Sequence, residues 1–200
     1  MINYNDNIDF LFLAKLFDDI YSWLASKTPG GYSRISEFKY YDKNVWSIIK
    51  NKIIELDNKT YLTLMEKEFL KCKYVGDVFR VLDYNVKRKG HVLPIKYHQS
   101  CSKDMDGITN VNLYGKKLLI KLCANDEIFG IDIFELLCFM IKYGIIIVDD
   151  KVKSLLRYED EKEVVLSVCD KTIVGIDIIN NENEIIGSLP REMWYRKSMR

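Results

Sequence analysis

The sequence predicts an α+β fold, with helices first and a mostly antiparallel sheet after them. Two successive patterns along the chain and one absence support this. Up to about residue 72 the apolar residues recur at three- and four-residue spacing, the period of a helix face. From Val75 onward that pattern gives way to short runs rich in β-branched and aromatic residues. No repeat and no linker rich in Pro, Gly or Ser divides the 200 residues, a length one core can serve. The expectation is therefore a single domain over 1–200, with a helical part at 1–72 and a strand-rich part at 73–200.

Phe10, Leu13, Phe17, Ile20 and Leu24 mark one face of a first helix, with Asp9 as its candidate cap and Thr28-Pro29-Gly30-Gly31 as its stop. Val45, Ile48, Ile49, Ile53 and Leu56 mark a second helix, with Asp42 near its start. Leu62, Met65 and Phe69 mark a third, short one after Thr60. Strands are expected at Val75–Leu82, Val92–Tyr97, Lys117–Cys123, Ile145–Val148, Glu163–Val168 and Thr172–Ile179. The last two are separated by a hairpin-sized gap, Cys169-Asp170-Lys171. Asn180-Asn181-Glu182-Asn183 is a polar turn before Glu184-Ile185-Ile186, and Asp132–Tyr143 reads as a helix ending at Gly144.

Composition narrows the function classes. Lys plus Arg number 30 against 29 for Asp plus Glu, so the chain lacks the basic excess of a protein that holds nucleic acid by bulk charge. The 5 Cys contain no Cys-x-x-Cys pair, and His91 and His98 are not spaced as ligands beside them, so no metal site is expected. Four of the cysteines lie in apolar stretches and read as small core residues, reduced in a cytosolic protein. The acidic start lacks a secretory signal. Lys15, Asp18 and Asp19 interrupt one apolar stretch, and Asp132, Glu135 and Lys142 interrupt the other, so no membrane span is expected. The expected location is cytoplasmic.

Three places in the strand-rich part carry chemistry. Arg80 lies within Val78-Phe79-Arg80-Val81-Leu82, where alternation puts it on the face of Val78 and Leu82. A charge on an apolar face requires an anion, either an internal partner or a ligand. Tyr97-His98-Gln99-Ser100-Cys101-Ser102 sets two hydroxyls near a strand end, where they either position a neighbouring group or form a turn. Glu161 and Glu163 stand two apart before Val164-Val165-Leu166, so in an extended segment they point the same way. Paired carboxylates suit acid–base work, and equally suit a solvated rim around an apolar strand.

Taken in order, Phe79-Arg80, Ser100-Cys101-Ser102 and Glu161-Lys162-Glu163 followed by an apolar run resemble the Arg, Ser-Thr-Ser, Glu-x-Glu signature of the ADP-ribosyltransferases. Cys101 takes the middle position of the serine motif. The resemblance spans roughly residues 75 to 170 and implies a split β-sheet core behind N-terminal helices. It implies NAD as the substrate that supplies ADP-ribose, with no metal. Cleaving the nicotinamide–ribose bond passes through an oxocarbenium-like state. By the resemblance Glu163 would stabilise that state and Glu161 would prepare the nucleophile. Arg80 would hold the pyrophosphate through its planar donor fork, Ser100 would steady Glu163, and Ser102 would support the strand end and the nicotinamide side. The acceptor would be a macromolecule, either a protein arginine or a nucleic-acid base, as for intracellular toxins and antiphage effectors, with a cognate antitoxin or inhibitor protein as a further partner. The rival from another class is a non-catalytic interaction module, such as an immunity or antitoxin-like protein. In that case Arg80 would be a structural ion pair and 157–163 a partner-binding rim.

Overall fold

The computed structural model describes residues 9–25, 35–84, 98–105, 115–156 and 162–194. The class is α+β, with helices first and strands after them. Two compact units are present. One gathers the described residues of Met1–Lys27, Gly31–Tyr74 and Ile131–Glu163; the other gathers those of Val75–Gly130 and Val164–Arg200. One break, between Tyr74 and Val75, falls at the change in sequence pattern, and the later segment Ile131–Glu163 is grouped with the helices.

In the first unit, α1 (Phe12–Ala25) buries Leu13, Phe17, Ile20, Trp23 and Leu24. Phe10 precedes the helix, and its carbonyl accepts from the Leu13 amide at 3.0 Å. α2 (Ile35–Asp57) begins seven residues before Asp42. Its buried stripe is Val45, Trp46, Ile49, Ile53 and Leu56, while Ile48 is 42% exposed, contrary to the expected face. At 3.6 residues per turn, adding Trp46 rotates the centre of the stripe away from Ile48. α3 (Leu64–Phe69) starts at Thr63 instead of Thr60, because Thr63 and Glu66 form a reciprocal capping box. The Thr63 hydroxyl accepts from the Glu66 amide at 3.2 Å, and the Glu66 carboxylate accepts from the Thr63 amide at 2.9 Å. A 3-10 turn (Leu70–Cys72) leads to the two-residue β1 (Lys73–Tyr74), which neighbours β5 (Gly130–Asp132).

Asp132 then caps α4 (Ile133–Lys142), accepting from the Glu135 amide at 3.2 Å. The helix ends before Gly144 at φ 65°, as expected from the sequence. The strand expected at Ile145–Val148 is absent. The amides of Ile145 and Ile146 instead donate to the Met140 carbonyl at 2.8 and 3.4 Å, so the run wraps the helix end. Asp149 accepts from the Val152 amide at 2.9 Å and opens α5 (Asp150–Leu156), an element the apolar spacing did not indicate. Phe10, Phe69 and Phe139 meet pairwise with ring centroids 4.9, 5.1 and 5.2 Å apart at the centre of this unit.

The second unit holds β3 (His98–Ser102), β2 (Gly76–Asp83), β4 (Lys117–Ala124), β7 (Ile173–Ile179) and β8 (Ile185–Ser188) as successive neighbours, and β6 (Glu163–Ser167), whose first residue Glu163 is counted with the first unit, is next to β3 in the strand order. The β2–β3, β2–β4, β4–β7 and β7–β8 pairs are antiparallel. The Asn180–Asn183 turn closes a true hairpin between β7 and β8, with Asn183 at φ 61°. The Cys169–Lys171 gap is a tight turn between strands that are not partners, because the edges of β7 are taken by β4 and β8. Val92–Tyr97 lies outside the described residues, and β3 begins at His98. Cys72 and Cys101 are buried, Cys123, Cys138 and Cys169 are half-buried, and none of the five is in a disulfide. Among the described residues no helix is long and apolar enough to cross a membrane.

Candidate functional site

Registry decides which face each candidate side chain occupies. On β2 and β4, Val78 faces Leu122, Arg80 faces Ile120 and Leu82 faces Leu118, all of them apolar residues except Arg80. Arg80 therefore lies on an apolar sheet face, as alternation indicates. It is half-buried there, and its guanidinium donates to the carbonyl oxygen of Ser100 on β3. Among the described residues no carboxylate pairs with it.

The serines point the other way. Phe79 is opposite Ser102, so their side chains share a face, and alternation places Ser100 on that face as well. Val81, Leu119 and Ile179 form a small apolar cluster with Phe79 and Met105 on this same side. Ser102 is buried, and its hydroxyl accepts from the Asp104 amide at 3.4 Å as the strand ends. The structure thus brings the Arg80 guanidinium to the Ser100 backbone while setting it on the opposite face from both serine side chains.

Glu163 opens β6 and is 4% exposed. It is preceded by Lys162 at φ 45°, a left-handed turn that ends the approach to the strand. β6 neighbours β3, which neighbours β2, so the three strands bearing the three motifs are consecutive. Glu161 lies outside the described residues.

One charged group on the serine side escaped the sequence reading. Lys121 on β4 is opposite Phe79, which is opposite Ser102, so the three form one cross-strand row. The Lys121 ammonium lies 2.6 Å from the Asp177 carboxylate, whose other oxygen accepts from the Ser188 hydroxyl at 2.6 Å. Burial alone would raise the Asp177 carboxyl, but these two hydrogen bonds and the lysine charge outweigh it and hold it below the usual carboxylate range. The alternation in Lys117-Leu118-Leu119-Ile120-Lys121-Leu122 was the available signal, since both lysines fall on one face. Lys117 is 5% exposed and its ammonium donates to the Asn183 side-chain oxygen at 3.3 Å.

Among the described residues no group of three or more His, Cys, Asp or Glu side chains is placed to hold a metal ion. Comparison of the chain with protein-family models, curated proteins and solved structures gives no match.

Proposed function

We propose that the chain is an NAD-dependent mono-ADP-ribosyltransferase that modifies a macromolecule. The observation that carries this reading is the strand order β6-β3-β2: segments carrying Glu163, Ser100 with Ser102, and Arg80 come from distant parts of the sequence and lie on adjacent strands. A carboxylate that is 4% exposed suits the stabilisation of an oxocarbenium-like state, since low local dielectric strengthens its attraction for developing positive charge. Arg80 is held by the Ser100 carbonyl on the sheet face opposite the serine side chains, so a ligand seated on the serines meets a different cation. Glu161 would orient the incoming nucleophile; the expected acceptor is a protein arginine or a nucleic-acid base.

A second reading is favoured by the β2–β3 registry, which separates Arg80 from the serine hydroxyls. On that reading the chain is a non-catalytic interaction module, and Arg80 is a clamp between two strands. One experiment separates the two. The full chain and Glu163→Gln are incubated with labelled NAD and a cell lysate, and both label transfer and nicotinamide release are measured. The enzyme reading expects wild-type transfer and a loss of about a hundredfold in the variant. Absence of both transfer and nicotinamide release in the wild type leaves the interaction module.

A further inference from the structure

The serine side of the sheet carries its own held cation, and the geometry points to Lys121, not Arg80, as the residue that meets the phosphates of a ligand seated on Ser100 and Ser102. This inference rests on the proposed use of NAD, whose pyrophosphate is the anion in question. Cross-strand partners share a face, so the row Ser102–Phe79–Lys121 is fixed by two observed registers. Strand spacing sets the Ser102 and Lys121 backbones about 9.5 Å apart, two steps of the sheet. Arg80 stands next to Phe79 in sequence and therefore projects from the opposite surface.

Lys121 is also built as a presented cation. Its side chain retains 37% exposure while that of Asp177 retains 11%, so the carboxylate is the buried, fixed member and the ammonium is the accessible one. Ser188 holds the carboxylate from the far side at 2.6 Å. An ammonium has three donors, and among the described residues Asp177 is its one ionic partner. The remaining donors are free to take phosphate oxygens. Asp177 and Ser188 are positioning residues in this arrangement: they aim the lysine and do not touch the ligand.

The test titrates the full chain with inorganic pyrophosphate and, separately, with NAD, and reads affinity by calorimetry. Lys121→Met is expected to weaken both probes about tenfold, the loss of one charge-assisted contact. Ser188→Ala should weaken both about threefold by loosening Asp177, and Ser188→Thr should restore most of that loss. Lys171→Met removes a cation paired with Glu127 elsewhere in the unit and should change neither affinity. If Lys121→Met leaves a buried charge that prevents folding, the Lys121→Met/Asp177→Asn double variant removes both charges and carries the same expectation. Unchanged pyrophosphate affinity in the Lys121 variants overturns the assignment. Pyrophosphate binding that depends on Lys121 in a chain that binds no NAD keeps the anion site and removes the dinucleotide reading. Failure of the wild type to bind either probe overturns both.

Discussion

The two units use their charged residues differently. In the helical unit the charges around α3 are committed to one another. Glu66 caps α3 and pairs with Lys59 at 2.6 Å, while Glu68 takes both Lys71 and Lys142 at 2.8 Å. These bonds close helix ends and cross between helices, which is the structural use of charge. In the sheet unit two cations stand out. Arg80 lies on an apolar face with a carbonyl as its partner, and Lys121 is held outward by a buried carboxylate. A cation whose donors are incompletely used is one to which a ligand anion can be added. On the proposed reading, the cations that would meet a ligand anion lie in the sheet unit, while the charges around α3 serve packing.

The largest effect should come from the helical core. Phe69→Ala opens the Phe10–Phe69–Phe139 cluster and should cost about 3–5 kcal/mol, read from the urea midpoint. If NAD affinity, measured in conditions where the variant stays folded, falls as steeply as stability, the division of labour between the units breaks down. Next comes Glu163→Gln. Its expected hundredfold loss of nicotinamide release corresponds to about 2.7 kcal/mol of transition-state stabilisation, with substrate affinity nearly unchanged. A variant that loses affinity and turnover equally would assign Glu163 to ground-state binding instead. Thr63→Ala removes the hydroxyl of the capping box and should lower stability by about 1 kcal/mol without altering ligand affinity.

The smallest effect is a pH dependence. Burial pushes the Glu66 carboxyl up, but the hydrogen bond from Lys59 and those at Thr63 prevail, so its folded pKa lies below the usual value. A depressed carboxylate stabilises the fold above its unfolded pKa, about 4.3, and that contribution is lost as pH falls through the folded value. Urea midpoints measured from pH 7 down to pH 3 should therefore decline less in Glu66→Gln than in the wild type. Parallel curves would show that the cap is neutral in effect.

Local signals were readable where a single side chain decides the backbone. The helix stop at Gly144 and the Asn180–Asn183 turn follow from left-handed backbone preference and short polar side chains. The Thr63-x-x-Glu66 box and the Asp149 cap of α5 were equally present in the sequence, but apolar spacing alone passes over them. Ile145–Val148 went the other way: its β-branched run reads as a strand, and the unpaired carbonyl of Met140 takes its amides instead.

For the candidate site, the amino-acid order by itself determined the α+β class, the apolar face on which Arg80 sits, and the alternation that sets Lys117 and Lys121 together. Those depend on periods of 3.6 and 2 within one segment. Only the tertiary structure decided that β6, β3 and β2 are neighbours, that Phe79 stands opposite Ser102, and that Asp177 reaches Lys121. Strand pairing joins residues far apart in the chain, and shifting a register by one residue exchanges the two faces of a strand. That single choice, unavailable to any one segment, separates Arg80 from the serines and sets Lys121 on their face of the sheet.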